Sequence, residues 1–181
     1  MKLMIASDLH GDADCCLAVL AKYKEEGADE LLLLGDILYH GPRNDLPCGY
    51  RPKEVISLLS AMEKPPLCVR GNCDTEVDQM VLPFPILADY TILFIDGVRL
   101  FATHGHHHNP ENLPRLSAGD AFLYGHTHLL VAEKNADGVL IVNPGSVSLP
   151  KGGNPKSYAI YENGCFTVKD LDGKVLASVS V

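Results

Sequence analysis

The sequence predicts an α/β protein that folds as one domain, residues 1–181, around two β-sheets. Its first half alternates short apolar runs with amphipathic segments, the order typical of a parallel sheet with helical crossovers. Its second half consists of short apolar runs separated by turn sequences, as in a strand-rich architecture. A hydrophobic content of 46% suffices for a sizeable core, and no repeat, linker or low-complexity tract divides the chain.

The first half predicts three strands joined by two helices. The first strand ends at Asp8 and the second at Gly35-Asp36, so each places a carboxylate at a strand end. Asp12 is a suitable cap for the first helix, and Gly27 is a suitable stop. Parallel strands with right-handed crossovers gather ligands at their carboxyl ends. The predicted strands cover 2–7, 31–34 and 67–69, the helices cover 12–26 and 52–62, and a loop covers 37–50.

The second half contains a strong hairpin signal. Asp96-Gly97 lies between two apolar runs, 91–95 and 98–102, and Asp-Gly is typical of a two-residue hairpin turn. Further turns are expected at Asp137-Gly138, Asn163-Gly164 and Asp172-Gly173. The remaining predicted strands cover 121–124, 130–134, 138–142, 158–161, 166–171 and 175–181.

Charge and composition exclude several classes of protein. A formal net charge of −8 argues against a broad basic surface, so we expect no stable nucleic-acid partner. No apolar run approaches the roughly 18 to 20 residues that cross a bilayer, and the opening residues turn polar too soon for a secretory signal. We therefore predict a cytoplasmic protein with no membrane segment. The six cysteines show no repeated C-x-x-C pair and are expected to be reduced thiols.

Oxygen and nitrogen donors are concentrated where predicted strands end. In an extended backbone, residues i and i+2 face the same side. Asp8 with His10 forms one such pair, and His126 with His128 forms another, so each pair is expected to present two ligands to one site. The five segments are Asp8-Leu9-His10, Gly35-Asp36, Gly71-Asn72-Cys73-Asp74, Thr103-His104-Gly105-His106 and Gly125-His126-Thr127-His128.

These donor types predict a site for borderline divalent metals. Imidazole, carboxylate and amide oxygen suit Mn, Fe, Zn or similar ions better than the all-oxygen shells of Ca or Mg. Seven groups exceed one tetrahedral site but suffice for two adjacent ions that share a carboxylate. The seven are Asp8, His10, Asp36, Asn72, His104, His126 and His128.

The ordered motifs resemble the calcineurin-like metallophosphoesterase superfamily. They are D-x-H at residue 8, GD at 35, GNCD at 71, HGH at 104 and GH-x-H at 125. The segments 40–47, 70–80, 109–114 and 143–155 further resemble the small bacterial phosphodiesterases of the YfcE type, over nearly the whole chain. The resemblance implies a four-layer fold in which helices flank a sandwich of two sheets.

The resemblance also implies ligand roles and a reaction. Asp36 would bridge two ions, for which the resemblance implies manganese, with Zn, Fe, Ni or Co as alternatives. The reaction would be in-line attack on a phosphodiester by a hydroxide that bridges the two ions. Two carboxylates and one hydroxide against two dications leave about +1, which balances a phosphodiester monoanion. One ion would be held by Asp8, His10, Asp36 and His128, and the other by Asp36, Asn72, His104 and His126.

Proton transfer is where this sequence departs from the wider superfamily. Cys73 stands where many members carry a histidine that protonates the leaving group, which favours substrates with good leaving groups. Cys73 is otherwise a small filler beside the metals. His106 is the best replacement acid, whereas His107 and His108 are expected to be solvated. Asp74 is expected to orient a ligating histidine.

The loop after Asp36 offers substrate contacts. His40, Arg43 and Asn44 could touch the substrate, Arg43 through paired donors to phosphate. The alternative is a loop stabilised by its own hydrogen bonds.

The metal cage leaves three functions open. The leading hypothesis is a phosphodiesterase acting on a small substrate. The same cage could serve a phosphomonoesterase or nucleotide phosphatase, or a non-catalytic scaffold such as the retromer subunit similar to this family. A homo-oligomer is possible, and the sequence does not identify the natural substrate.

Overall fold

The computed structural model describes residues 1–181 and consists of two mixed sheets packed face to face. The predicted fold class is confirmed. The helices are α1 (Ala13–Glu26), α2 (Pro52–Ser60) and α3 (Glu76–Val81). The strands are β1 (Leu3–Ala6), β2 (Glu30–Leu33), β3 (Leu67–Cys68), β4 (Tyr90–Ile95), β5 (Val98–Thr103), β6 (Ala121–Leu123), β7 (Leu130–Lys134), β8 (Leu140–Pro144), β9 (Ser157–Glu162), β10 (Cys165–Asp170) and β11 (Val175–Ser180).

The first sheet has the order β11-β10-β9-β1-β2-β3. The predicted parallel arrangement of β1, β2 and β3 is confirmed. The last three strands of the chain extend the same sheet, with β9 antiparallel to β1. As a result β1 is central and all four of its residues are buried, which explains its unbroken apolar sequence.

Alternation along β1 divides the core between two layers. Met4 and Ala6 face helices α1 and α2, where Val19 and Val55 belong to the same apolar cluster. Leu3 and Ile5 face the second sheet, whose strands β4-β5-β6-β8-β7 lie in that order. Because successive strand side chains point to opposite faces, one short strand contributes to both layers.

The outer face of the second sheet has no helix on it. A smaller aromatic and aliphatic cluster, which includes Phe101 and Phe122, lies there. Leu113 and Leu116, from the irregular segment between β5 and β6, pack against this cluster. The fourth layer of the sandwich is therefore a loop in this chain.

Local capping signals account for the predicted helix ends. The Asp12 side chain accepts a hydrogen bond from the backbone N–H of Cys15 at 3.0 Å. Gly27 closes α1 with a left-handed backbone, φ 61°. Helix α2 ends at Ser60, two residues earlier than predicted.

Helix α3 is an element that the sequence analysis did not predict. Its six residues include none that is buried, so no apolar period marks it. The available signal was the pair Thr75 and Asp78, which form a capping box at its start.

The predicted β4–β5 hairpin is confirmed. Its turn residues Asp96 and Gly97 both have positive φ, 52° and 82°, as a twisted two-residue turn requires. All six cysteines are free thiols. None of the helices has the length and apolar character needed to span a membrane.

Candidate metal centre

The predicted donors converge at one edge of the sandwich. Asp8 and Asp36 follow β1 and β2, and Asn72 follows β3, at the carboxyl ends of parallel strands. His104 and His126 follow β5 and β6, which are parallel to each other in the second sheet. The two sheets thus direct their ligand-bearing loops to the same place.

The backbone at these donors differs from the sequence prediction. Asp8, His10, His126 and His128 have φ of 58°, 48°, 63° and 59°, so they lie in left-handed turns and the predicted extended pairing is wrong. A non-glycine residue in this region costs roughly 1–3 kcal/mol and persists only where surrounding structure enforces it. The turns still bring each pair to the centre, because they curl the chain over the strand ends.

Three donors form what we call the closed half-site: Asp8, His10 and His128. The Nε2 atom of His128 lies 3.2 Å from Oδ1 of Asp8 and 3.2 Å from Nε2 of His10. All three residues are buried, with exposures of 0%, 0% and 2%. Their donor atoms are close enough together to share one ion.

Three further donors form the open half-site: Asn72, His104 and His126. The Nε2 atom of His104 lies 3.1 Å from Oδ1 of Asn72 and 3.3 Å from Nδ1 of His126. His104 is fully buried, whereas His126 is half-buried and Asn72 is exposed. This half of the centre therefore faces solvent.

Asp36 lies between the two half-sites. Its Oδ2 atom is 3.7 Å from Nε2 of His10 and 3.5 Å from Nε2 of His104. Its Oδ1 atom accepts a hydrogen bond from the backbone N–H of Cys73 at 2.8 Å. Gly71 permits this arrangement, because a Cβ there would lie 2.1 Å from Oδ1 of Asp36.

Backbone carbonyls orient three of the four imidazoles. The Nδ1 atoms of His10, His104 and His128 lie 2.9, 2.6 and 2.6 Å from backbone carbonyl oxygens. A carbonyl only accepts, so each Nδ1 carries the proton and each Nε2 presents a lone pair to the centre. His126 has the reverse orientation and directs Nδ1 toward His104.

Asp8 provides the test of whether the cluster fits a cation. Its Oδ2 atom accepts hydrogen bonds from the Ser7 hydroxyl at 2.6 Å and the His126 N–H at 3.1 Å. Its Oδ1 atom is buried and has no hydrogen-bond partner. A buried unpaired carboxylate oxygen is costly unless a cation meets it. The donors present therefore fit the divalent ions that their chemistry predicts.

The electrostatics of the centre favour positive charge. Burial alone would raise the pKa of Asp8, but His10 and His128 outweigh it and hold that pKa well below its usual value. Burial would lower the pKa of His104, but Asp36 and Asp8 raise it to about 9. The two carboxylates thus remain ionised and attract a proton or a cation to the space between them.

Asp74 has a different role from the one predicted. Its carboxylate accepts hydrogen bonds from the backbone N–H groups of Asp36, Ile37 and Gly71 at 2.8, 2.9 and 2.7 Å. It contacts these amides rather than a histidine, so the prediction of a histidine-orienting carboxylate is wrong. Burial raises its pKa to about 6, while the amides oppose that rise. Asp74 holds together the two loops that carry Asp36 and Asn72.

Cys73 lies beside the cluster as the sequence predicts. Its Sγ atom is within 4.8 Å of donor atoms of His10 and Asp36, and the Asn72 side-chain amide lies 3.2 Å from it. Burial, reinforced by the Asp36 charge, raises the pKa of the Cys73 thiol. Burial and the neighbouring carboxylates therefore favour the thiol over the thiolate.

The histidine run reaches the centre through one member. The His106 ring lies 5.4 Å from that of His104, and its buried Nδ1 atom has no partner. Burial and His104 lower the pKa of His106 to about 4, so it is neutral at pH 7. His107 is exposed, as predicted, whereas His108 is half-buried and packs edge-on against Phe101.

The loop after Asp36 is stabilised by contacts of its own and carries an exposed arginine. Asn44 donates a hydrogen bond to the His40 carbonyl at 2.8 Å, and the His40 ring packs edge-on against Tyr50. Arg43 is exposed, and its charge adds to burial and His104 in lowering the pKa of His126. Arg43 therefore lies at the rim of the open half-site.

Sequence reasoning missed the serines that support Asp8. The hydroxyls of Ser146 and Ser148 both donate to the Asp8 carbonyl, at 3.0 and 2.7 Å, and both serines are buried. They stabilise the left-handed turn at Asp8 from a loop about 140 residues away in sequence. The segment Asn143 to Ser148 was noticed only as part of a resemblance, because no local pattern relates it to Asp8.

Comparison with known proteins identifies the family. Residues 1–164 match the calcineurin-like phosphoesterase superfamily domain. The chain belongs to this superfamily. It is 49% identical to phosphodiesterase YfcE of Escherichia coli K12 over 100% of this chain and 98% of that protein. The solved structure of E. coli YfcE superposes with a TM-score of 0.96 at 49% identity and covers 99% of both chains.

More distant relatives show how widely the superfamily fold is used. Phosphodiesterase MJ0936 of Methanocaldococcus jannaschii is 41% identical over 152 residues, 80% of this chain and 83% of that protein. Vacuolar protein sorting 29 of Cryptosporidium parvum shares the fold, with a TM-score of 0.65 at 19% identity over 99% and 98% of the two chains. Superfamily membership and the donor cluster together make this chain a metal-dependent phosphoesterase.

Proposed function

We propose that this protein is a phosphodiesterase that uses two divalent ions. The observation that carries the proposal is the position of Asp36 between the half-sites, with the unpaired Asp8 oxygen in the closed one. One ion is held by Asp8, His10, Asp36 and His128, and the other by Asp36, Asn72, His104 and His126.

When bound, the two ions supply Lewis acidity and the hydroxide nucleophile for in-line attack on the phosphodiester. The chain's own residues position that chemistry. Asp36 sets the spacing of the half-sites, and the carbonyls behind three histidines fix which nitrogen each one presents. Asn72 and Arg43 lie on the exposed side, where an anionic substrate arrives.

Manganese is our proposed ion, with Zn, Fe, Ni and Co as alternatives. The donors are four imidazoles, two carboxylates and one amide, a mixed set that suits first-row ions as a class. The choice of manganese rests on the resemblance to the YfcE type.

The preference for a diester over a monoester rests on similar proteins, and Cys73 bears on the leaving group. A buried thiol is a poor proton donor to a leaving alkoxide, so substrates with good leaving groups should react best. The names of YfcE and MJ0936 as phosphodiesterases support this choice.

A phosphomonoesterase or nucleotide phosphatase is the second candidate. A scaffold role is disfavoured because all seven donors are present. A cytoplasmic location, the lack of a nucleic-acid partner and an oligomeric state remain predictions.

The test is a substrate panel measured with protein of known metal content. Protein loaded with Mn²⁺ should contain two ions per chain and hydrolyse bis(p-nitrophenyl) phosphate faster than p-nitrophenyl phosphate. Rapid monoester hydrolysis with no diester hydrolysis would favour the second candidate. Absence of both metal and activity would favour a scaffold.

A further inference from the structure

A cavity adjoins the metal centre. It has a volume of about 340 Å³ and opens to solvent between α2, α3 and the loop after β2. Its walls are mostly apolar, and Leu38, Tyr39, Tyr50, Ile56, Val77 and Val81 contribute to them. Nothing in the metal cluster requires this space.

Cys73 joins this cavity to the metal centre. It lines the cavity, and its Sγ atom also lies within 4.8 Å of donor atoms of His10 and Asp36. Tyr39 makes a second connection, since its carbonyl oxygen lies 2.9 Å from Nδ1 of His10 and its side chain lines the cavity. A group attached to a phosphate bound at this cluster would therefore be one side chain away from the cavity.

Several apolar side chains in the cavity wall remain exposed to solvent, so they are not needed to fill the hydrophobic core. Tyr39, Val77 and Val81 are 41%, 67% and 47% exposed. Helix α3 buries none of its own residues, yet it presents valines here rather than polar side chains. Exposed apolar surface beside a reactive centre is typical of a binding site.

Two of the polar side chains at the cavity, Thr75 and Asp78, already have partners, whereas Lys53, which carries an ammonium group, also lines the cavity. Thr75 and Asp78 bond to each other in the capping box of α3, with Asp78 accepting from the Thr75 N–H at 2.7 Å and from its hydroxyl at 2.9 Å. They are therefore not free to read the hydrogen-bonding edge of a nucleobase. The volume is at the lower end of the roughly 300–1,000 Å³ of small-molecule sites, so it suits one or two rings.

We propose that this cavity binds an apolar substituent, aryl or branched alkyl, on one ester arm of the substrate. The inference rests on the proposed phosphodiesterase function and narrows its substrate class. The phosphate stays at the metals while its apolar arm extends past Cys73 and leaves water, and burial of that arm supplies the selectivity.

Two monoanions with the charge of a phosphodiester, methyl methylphosphonate and methyl phenylphosphonate, test the proposal. Their affinities for zinc-loaded protein are measured from the NMR shifts of the Ile56, Val77 and Val81 methyl groups. We expect the phenyl compound to bind about tenfold more tightly, equivalent to 1.4 kcal/mol, and to shift these methyls.

Val77→Trp should fill the cavity and reduce the tenfold preference to near unity, with binding of the methyl compound unchanged. Met80→Trp is the matched control, because Met80 is on the same helix, is 83% exposed and does not line the cavity. That variant should keep the full preference. Retained methyl dispersion and an unchanged melting temperature show that both variants fold. In Val77→Trp, the binding preference and the Ile56 and Val81 shifts report on the cavity.

Equal affinity of the two compounds for the wild-type protein would overturn the proposal. So would a phenyl preference that Val77→Trp leaves intact, or a stronger preference for a hydroxyl-rich substituent such as glyceryl. Turnover of bis(p-nitrophenyl) phosphate is measured separately. A phenyl preference without turnover would reject the proposed function but support the proposed role of the cavity. Turnover without a phenyl preference would support the proposed function but reject that role.

Discussion

The closed and open half-sites use similar donors in different surroundings. In the closed half-site all three donors are buried, and the backbone behind Asp8 is held by two serine hydroxyls. In the open half-site only His104 is buried, and Asn72 faces solvent. Buried charged donors with fixed partners retain a cation, whereas exposed donors exchange it more readily with water.

This difference assigns separate tasks to the two halves. Under the proposed assignment, the closed half-site would anchor an ion, and the open half-site would leave room for a substrate beside His126, Asn72 and Arg43. The cavity beside Cys73 lies toward Asp36 and His10, so the proposed apolar arm would pass the side of the centre that the closed half-site shares with Asp36.

Removing the shared ligand should have the largest effect, because it breaks both halves at once. Asp36→Asn should lower kcat/KM for bis(p-nitrophenyl) phosphate by at least about a thousandfold, since it removes the charge between the two ions. Metal analysis after dialysis should find fewer ions per chain. Asp96→Asn, in the exposed hairpin turn where Asn also suits positive φ, is the control and should match wild type. Full activity in Asp36→Asn would reject the shared-carboxylate assignment.

Loss of a donor from the closed half-site should have the second-largest effect on activity. His128→Asn should lower activity by about a hundredfold or more, and added Mn²⁺ should not restore it. The variant removes one ligand from a buried ion, and water cannot readily reach that position to replace it. The measurement is activity against Mn²⁺ concentration. Full recovery at high Mn²⁺ would contradict the distinction between the halves.

A donor of the open half-site should be easier for water to replace. Asn72→Ala should lower activity about tenfold to a hundredfold at low Mn²⁺, and excess Mn²⁺ should recover much of the loss, because water can take the place of an exposed amide oxygen. The same titration measures it. If Asn72→Ala proves less recoverable than His128→Asn, the roles of the two halves are reversed.

The smallest change concerns the leaving group rather than the ions. Cys73→His should raise the rate by a few-fold up to about tenfold for diesters with alkyl leaving groups, because an imidazolium donates a proton better than a buried thiol. Diesters with a p-nitrophenyl leaving group should change little, since they need no acid. The readout is the slope of log kcat against leaving-group pKa. An unchanged slope would show that residue 73 does not act on the leaving group.

Particular residues show how far local sequence patterns reach. The helix limits at Asp12 and Gly27 and the turn at Asp96-Gly97 were predictable, because capping and turn geometry depend on neighbouring residues. The donors themselves were predictable as a set from their positions after apolar strands. The short helix α3 was missed because six exposed residues carry no apolar period.

The sequence alone determined the chemistry available to this protein: seven candidate metal donors, a thiol at residue 73 and the family to which they point. Tertiary structure decided how that chemistry is arranged. It turned the backbone at Asp8 and His128 into left-handed turns, assigned Asp74 to backbone amides, and placed α3 so that its valines line a cavity beside Cys73. These features depend on contacts between segments up to 140 residues apart, where burial and hydrogen bonding override local preference.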